Sequence, residues 1–227
     1  MIRFDAIIFD FDGVLLESEF KANLQLAELL TDMGHRHTAA ETIRYYTGLS
    51  GDDFIAAIER RIGTQLPPEF HGRMKEESRR ALKEGIDAVL GAVEFVRSLP
   101  PHLPKAVASS SSTKWIYGHL EHLGLTEAFG DHVYSGREHV ARGKPAPDIY
   151  LFAADRLGIP IEGSVILEDS EVGATGALAS GATVIGIAAG RHCFDGHAEM
   201  LRAVGIEHVA QSFNEVARLI ELDQTRR

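Results

Sequence analysis

Residues 6–19 read AIIFDFDGVLLESE, and the first half of this stretch decides the fold. Its first four residues form an apolar run without polar alternation, which is typical of a strand in a parallel sheet covered on both faces. The run ends abruptly in two aspartates, Asp10 and Asp12, followed by Gly13. Because ligands bind at the carboxyl ends of strands in open parallel sheets, the stretch predicts a polar site at the edge of such a sheet.

The composition of the chain limits its functional class. The 227 residues are 44% hydrophobic, which is enough for one large domain or for a domain with a smaller insertion. The formal net charge of −10 disfavours nucleic acid and anionic membranes as partners, because both would repel the chain. The only cysteine, Cys193, excludes an internal disulfide and fits a reducing compartment. Because no apolar run approaches about 20 residues and the start does not resemble a signal peptide, we expect a cytoplasmic protein.

The order of predicted elements indicates a core domain with an insertion. After residue 17 the chain reads as a series of helices without a convincing strand, and one of them begins at a capping box of Thr38 and Glu41. Further along, short apolar runs alternate with helical patterns, as expected for a parallel sheet. We therefore predict a doubly wound, Rossmann-like α/β core formed by residues 1–16 and 88–227, and an all-helical cap formed by residues 17–87.

Polar residues follow several of the predicted strands or precede the helix that comes next. These candidate site residues are Asp10, Asp12, Ser109, Lys144, Glu168 and Asp169. In a parallel sheet they would converge on one edge, where the carboxylates make a site for a hard cation and the lysine and serine make a site for an anion. Oxygen ligands of this kind suit Mg²⁺, which typically binds a few carboxylates together with substrate phosphate.

Four short motifs, in this order and context, resemble those of the haloacid dehalogenase superfamily. They are DFDGV at residues 10–14, the serine after the second core strand, GKPAPD at residues 143–148 and LEDS at residues 167–170. The resemblance covers essentially the whole chain and is to the branch with a helical cap inserted after the first motif. Within that branch the chain most resembles β-phosphoglucomutase-like sugar-phosphate phosphatases.

This resemblance implies a role for each acidic motif residue. Asp10 would be the nucleophile that forms an aspartyl-phosphate, and Asp12 would be the general acid and base. Mg²⁺ would be bound by the Asp10 side chain, the Asp12 backbone carbonyl and Asp169. Glu168 would either orient metal-bound waters or bind the metal directly.

The same resemblance assigns the phosphate contacts. Lys144 would supply a compact positive charge, while Ser109 and the backbone N–H of Ser110 would donate hydrogen bonds to phosphoryl oxygens. The four consecutive serines make the register of this motif ambiguous, since Ser111 or Ser112 could be the N-cap of the next helix. Ser109 is preferred because it directly follows the strand.

Departures from the pattern favour water as the phosphoryl acceptor. Related mutases carry an arginine in the first cap loop and a histidine after the hinge, whereas this chain has Gly51 and Ala22 near those positions. The hinge reads Glu17-Ser18-Glu19 in place of Asp-Ser-Glu. We therefore expect a Mg²⁺-dependent phosphatase of a small phosphorylated metabolite, a sugar phosphate or sugar-acid phosphate, that is a monomer or weak homodimer. The alternatives are a phosphosugar mutase and a non-catalytic module that binds phosphate esters.

Other conspicuous residues are interpreted as structural or left open. Residues 190–197 read GRHCFDGH, but two histidines and one cysteine do not fill a structural zinc site, so we interpret the segment as an ordinary loop or a pocket rim. Trp115 is interpreted as a packing residue. The basic residues of one cap helix form either a solvated face or a grip on a second charged group of the substrate: Arg73, Lys75, Arg79 and Arg80.

Overall fold

The computed structural model describes residues 2–46, 49 and 51–220. The chain divides into two compact units, one formed by Met1–Glu17 with Asp87–Arg227 and the other by Ser18–Ile86. Residues 47, 48 and 50 of the loop in which mutases carry an arginine lie outside the described residues. The expectation drawn from that loop therefore stays a prediction.

A sheet of six parallel strands forms the centre of the first unit, in the order β3-β2-β1-β4-β5-β6. The strands are β1 (Ala6–Phe9), β2 (Lys105–Ser109), β3 (Val133–Ser135), β4 (Ser164–Glu168), β5 (Thr183–Ile187) and β6 (His208–Ala210). Strand β1 pairs with both β2 and β4, so the chain winds outward from it in two directions. The predicted doubly wound α/β fold is confirmed.

Side chains of β1 alternate between the two faces of the sheet and meet a helical layer on each. Ile8 shares a buried cluster with Ile149 and Tyr150, while the Phe9 ring lies 6.2 Å from that of Phe95 and 5.6 Å from that of Phe129. The helices are α5 (Ala92–Ser98), α6 (Thr113–Leu123), α7 (Thr126–Phe129), α8 (Asp148–Leu157), α9 (Glu171–Ser180), α10 (His197–Val204) and α11 (Phe213–Ile220). Covering both faces explains why the strand reads as a continuous apolar run.

The second unit, Ser18–Ile86, consists of helices joined by turns and loops, with no strand among its described residues. Its helices are α1 (Ser18–Asp32), α2 (Ala39–Tyr46), α3 (Gly51–Ile62) and α4 (Phe70–Glu84). The predicted capping box is confirmed at the start of α2, where the Glu41 backbone N–H donates to Thr38 Oγ1 at 3.2 Å and the Thr38 backbone N–H donates to the Glu41 carboxylate at 2.9 Å. A small core that includes Leu30, Ile58 and Phe70 holds the unit together.

Candidate active site

The carboxyl ends of β1 and β4 bring four of the predicted residues together. Asp10 directly follows β1, Glu168 is the last residue of β4, and Asp169 comes next. Lys144, in the segment before α8, places its Nζ 2.6 Å from Asp10 Oδ1 and 2.6 Å from Glu168 Oε1. The side chains of Lys144, Asp10 and Glu168 are 5%, 9% and 0% exposed, so these ion pairs are shielded from bulk water.

Burial and neighbouring charges set the ionisation of this cluster. Burial raises the pKa of Asp10 well above its ordinary value; Lys144 opposes that rise, and the carboxylates of Glu168 and Asp169 add to it. Burial alone would lower the pKa of Lys144, but attraction to Asp10 and Glu168 outweighs it and raises the pKa well above the ordinary value. Lys144 therefore stays protonated, and the repulsion among the neighbouring carboxylates adds to the raised pKa of Asp10.

Glu168 is held almost entirely by donors from the protein. Lys144 and the Tyr150 hydroxyl donate to Oε1, the latter at 2.7 Å. The backbone N–H groups of Asp169 and Ser170 donate to Oε2 at 2.9 and 3.0 Å, and the Ser170 hydroxyl does so at 3.1 Å. Burial would raise the pKa of Glu168, but its interaction with Lys144 outweighs this and lowers the pKa. A carboxylate has about four lone-pair positions, and these donors use nearly all of those of Glu168. Glu168 is thereby held in place to bind Lys144.

Asp10, Glu168 and Asp169 also form a group suited to a metal ion. Each offers a carboxylate oxygen within 4.8 Å of the other two, and all three residues are buried. Such an oxygen-only donor set fits a hard divalent cation like Mg²⁺. Gly13, at φ +86°, leaves the space that this group needs, because a Cβ there would collide with Asp169 Oδ2.

Asp12 and Ser109 lie together in a second hydrogen-bonded group. Ser109 is the last residue of β2, and its Oγ donates to Asp12 Oδ2 at 3.2 Å. Ser111 Oγ donates to the same oxygen at 2.6 Å, and Trp115 Nε1 donates to Asp12 Oδ1 at 3.0 Å. Side chains from the end of β2, the segment that follows it and the first turn of α6 thus orient the Asp12 carboxylate.

The four consecutive serines occupy different environments. Ser112 is the N-cap of α6 and accepts the backbone N–H of Trp115 at 3.3 Å. Ser109 Oγ accepts the backbone N–H of Ser111 at 3.0 Å, and Ser110 is exposed. Ser112 is therefore the helix cap, and Ser109 is buried at the strand end. The predicted contacts of Ser109 and Ser110 with phosphate stay predictions.

Sequence reasoning misses Trp115 and Ser111 as neighbours of Asp12. The Trp115 ring does pack, with its centroid 4.1 Å from that of His119, but its indole N–H also bonds Asp12. The position of Trp115 in the first turn of the helix after β2 was the available signal, because such turns lie at the carboxyl edge of the sheet. The interpretation of this tryptophan as packing alone is thus incomplete.

Replacing Trp115 by phenylalanine is expected to lower kcat by about tenfold to a hundredfold, the equivalent of one hydrogen bond to a charged group. The phenyl ring retains most of the packing on His119 but cannot donate to Asp12. Steady-state kinetics and a thermal unfolding curve check this. Tyr117→Phe, on the same helix, loses only a 3.4 Å contact to Gly130 O and is the matched control. Equal kcat values for the two variants would contradict a positioning role.

The loop of residues 190–197 contacts Asp169 at two points. His192 Nε2 lies 2.8 Å from Asp169 Oδ2, and His197 Nε2 lies 2.8 Å from the Asp169 backbone oxygen. The Arg191 backbone N–H donates to both carboxylate oxygens of Glu17, at 3.1 and 3.0 Å. The loop therefore helps to hold Asp169, the residue that follows β4. The sequence-based interpretation of this segment as an ordinary loop or a pocket rim does not include that role.

Cys193 lies in the same loop and is half-buried. Burial raises the pKa of its thiol to about 12. The free thiol is therefore protonated at neutral pH, which excludes it as an activated nucleophile in the metal-free protein. Burial likewise lowers the pKa of His197, so this ring is neutral near neutral pH.

Three of the four basic candidates in the helical unit form ion pairs within that unit. These pairs are Arg73 with Asp32, Arg79 with Glu76, and Arg80 with Glu77. Their side chains are exposed except that of Glu77, which is half-buried, and pairs this open to solvent contribute little stability. The pairing favours the interpretation as a solvated helix face, and a role in gripping substrate stays a prediction.

The fold and site define an α/β enzyme with a buried cation–carboxylate cluster at the carboxyl edge of its sheet. The model of the haloacid dehalogenase-like hydrolase family matches residues 7–187, and the chain belongs to this family. It is 30% identical to the fructose-1-phosphate phosphatase YqaB of Escherichia coli, over 82% of this chain and 97% of that protein. It is also 30% identical to a phosphorylated carbohydrates phosphatase of Thermotoga maritima, over 78% of this chain and 82% of that one.

A solved structure supports the same assignment. A haloacid dehalogenase family hydrolase of Deinococcus radiodurans with bound phosphate and sodium is 34% identical, covers 96% of both chains and superposes with a TM-score of 0.85. The family and its phosphatase relatives identify the chain as a phosphoric monoester hydrolase that acts on phosphorylated metabolites. Within the described residues, no helix is both long and apolar enough to cross a membrane.

Proposed function

We propose that this chain is a Mg²⁺-dependent phosphatase that hydrolyses a sugar phosphate or sugar-acid phosphate through an aspartyl-phosphate on Asp10. The observation that carries the proposal is the buried cluster in which Lys144 bonds both Asp10 and Glu168 beside Asp169. A carboxylate that attacks a phosphate monoester brings two anions together, so the site must hold positive charge in advance. Lys144 and the oxygen-lined cation site meet that need.

Asp10 is assigned as the nucleophile. Lys144 engages its Oδ1 and so fixes the orientation of the carboxylate. One oxygen of Asp10 forms the new bond to phosphorus while the bond from phosphorus to the sugar oxygen breaks. When bound, Mg²⁺ would be held by Asp10, Asp169 and the Asp12 backbone carbonyl, and it supplies charge that neutralises the phosphoryl oxygens.

Glu168 is assigned to the positioning of Lys144 rather than to direct metal binding. Its two oxygens accept hydrogen bonds from Lys144, Tyr150 and the start of α9, and a metal bond would have to displace some of these. Gly173 leaves room for this arrangement, because a Cβ there would collide with the Glu168 carboxylate.

Asp12 is assigned as the general acid and base. It would give a proton to the leaving sugar oxygen and later take one from the water that attacks the aspartyl-phosphate. Ser109, Ser111 and Trp115 hold its carboxylate in place for these two transfers. Ser109 and the backbone N–H of the exposed Ser110 are assigned to the phosphoryl oxygens. Because a hydroxyl has one proton, the hydrogen bond from Ser109 to a phosphoryl oxygen would replace its bond to Asp12.

The substrate class is drawn from the relatives. Two of them are named for fructose 1-phosphate and for phosphorylated carbohydrates, and phosphorylated sugars share the dianionic monoester that this site would process. The helical unit Ser18–Ile86 is taken as the cap domain, in which selection among such substrates would reside.

Phosphate release across a panel of phosphorylated sugars, sugar acids and nucleotides tests the proposal, with Mg²⁺ and again after chelation. We expect release concentrated on one group of compounds, lost on chelation and restored by added Mg²⁺. Release that is unchanged by chelation would contradict the metal requirement.

The same panel separates the alternatives. A phosphosugar mutase would convert a hexose 1-phosphate in the presence of a bisphosphate without releasing phosphate. A non-catalytic module would bind the esters without turnover under any metal. Either result would replace the proposed hydrolysis.

A further inference from the structure

The loop of residues 190–197 brings a second set of metal-ligand side chains together, beside the carboxylate site. His192, Cys193 and His197 each offer a ligand atom, and these atoms lie within 4.8 Å of one another. Both histidines are buried, and Cys193 is half-buried, so an ion could reach the group from the cysteine side. Nitrogen and sulfur donors suit Zn²⁺, whereas the oxygen donors of Asp10 and Asp169 suit Mg²⁺.

The spacing of two of these atoms already fits a shared ion. Cys193 Sγ lies 3.6 Å from His192 Nε2. Zinc bonds to sulfur and nitrogen of about 2.3 and 2.0–2.1 Å, at a tetrahedral angle, place the two ligand atoms about 3.5 Å apart. Little rearrangement would therefore be needed for both to bind one ion.

His197 supplies an independent sign of a ligand. Its Nε2 lies 2.8 Å from the Asp169 backbone oxygen, which can only accept, so Nε2 carries the proton and Nδ1 carries a lone pair. That Nδ1 is buried and has no hydrogen-bond partner among the described residues, and His197 as a whole is only 5% exposed. A backbone carbonyl that fixes the tautomer of a histidine in this way is the usual support of a metal ligand.

The loop is also held in shape before any ion binds. A Cβ at Gly190 would lie 2.5 Å from both His192 Cε1 and Nδ1, so the imidazole packs directly against this backbone. The Cys193 backbone N–H donates to Gly190 O at 3.0 Å, and Glu17 accepts the Arg191 N–H. A preformed site of this kind loses less free energy to ordering when it binds an ion.

We propose that His192, Cys193 and His197 bind Zn²⁺ with a fourth position open to water, and that zinc at this site inhibits the phosphatase. Zinc displaces the Cys193 thiol proton to solvent, and the His192 ring then carries its proton on Nδ1. His192 Nε2 cannot both bind zinc and donate to Asp169 Oδ2, so zinc removes that support and places a second cation beside the carboxylate site. The inhibition, but not the binding, rests on the proposed function.

Calorimetric titration of the tag-free protein with Zn²⁺, in the presence of excess Mg²⁺, tests the site. We expect one ion per chain, and an affinity about tenfold or more weaker in Cys193→Ser and in His197→Gln. His102→Gln removes an exposed histidine elsewhere and should bind zinc as wild type does. Charge-transfer absorption from sulfur to Co²⁺ should appear in the wild type and be absent from Cys193→Ser. No binding, or equal affinity in all four proteins, would overturn the proposal.

Phosphatase assays at increasing Zn²⁺ and saturating Mg²⁺ test the inhibition. Inhibition should follow the calorimetric occupancy in the wild type and shift to at least about tenfold higher Zn²⁺ in Cys193→Ser. Binding to an active enzyme without inhibition would overturn the inhibitory role alone. If no phosphate ester is turned over, the calorimetric and Co²⁺ results still decide the site, so failure of the proposed function is recognised separately.

Discussion

Replacing Asp10 by asparagine is expected to lower phosphate release by at least about 10³-fold and to leave the fold intact, because an amide cannot form the acyl phosphate. The substitution preserves the shape of the side chain and its place after β1. Steady-state release of phosphate, with a far-ultraviolet spectrum to verify the fold, measures the effect.

The same variant is expected to unfold at a higher temperature than wild type in the metal-free protein at neutral pH. Burial raises the folded-state pKa of Asp10 above its unfolded value, so the ionised group destabilises the fold at pH values above that folded-state pKa. The cost starts to shrink as pH falls below the folded-state pKa and disappears only below the lower, unfolded-state pKa. Asparagine carries no charge, so the difference in unfolding temperature should shrink in acid.

Asp5→Asn is the matched control for both measurements. Asp5 is exposed and lies just before the opposite end of β1, so its substitution should change neither release nor the unfolding temperature appreciably. Near wild-type release by the Asp10 variant would contradict the assignment of the nucleophile. A large loss of stability in that variant would contradict the account of crowded negative charge.

Replacing Lys144 by methionine is expected to abolish activity and to cost about 3–5 kcal/mol of unfolding free energy in the metal-free protein. The methionine fills most of the volume of the lysine stem but leaves Asp10 and Glu168 buried without their shared cation. Because both carboxylates can take up protons, the loss should be smaller in acid. Denaturant unfolding at neutral and acidic pH measures this.

Two comparisons separate charge from packing in that result. Arg142, two residues before Lys144, is an exposed cation paired with Asp148. Its replacement by methionine should leave stability nearly unchanged. Lys144→Met should also cost less when introduced into Asp10→Asn than into wild type, because only one buried carboxylate then loses its partner. An equal cost in both backgrounds would contradict the electrostatic explanation.

The parallel sheet and the cluster at its edge could be predicted from the sequence for a simple physical reason. Apolar runs mark the buried strands, and a parallel sheet gathers whatever follows them at one edge. Asp10 and Glu168 meet for that reason, since β1 and β4 are neighbours. Lys144 was less constrained, because it precedes a helix, and it was placed by the resemblance of its motif.

The surroundings of Asp12 and Asp169 could not be predicted in the same way. The contact of Trp115 with Asp12 depends on the rotation of α6 about its axis, which periodicity leaves open to within a turn. The contact of His192 with Asp169 depends on a loop whose path has no repeating pattern. Both are side-chain contacts over large sequence separations, and a single sequence carries no direct signal for them.

The most direct test of the account is to locate the covalent intermediate. A single turnover quenched in acid and then treated with borohydride reduces an acyl phosphate to an alcohol, which converts the modified aspartate to homoserine. Peptide mass spectrometry should find this conversion at residue 10 in the wild type, only when substrate and Mg²⁺ are both present. Conversion at another residue, or turnover without any conversion, would contradict the assignment of Asp10 as the nucleophile.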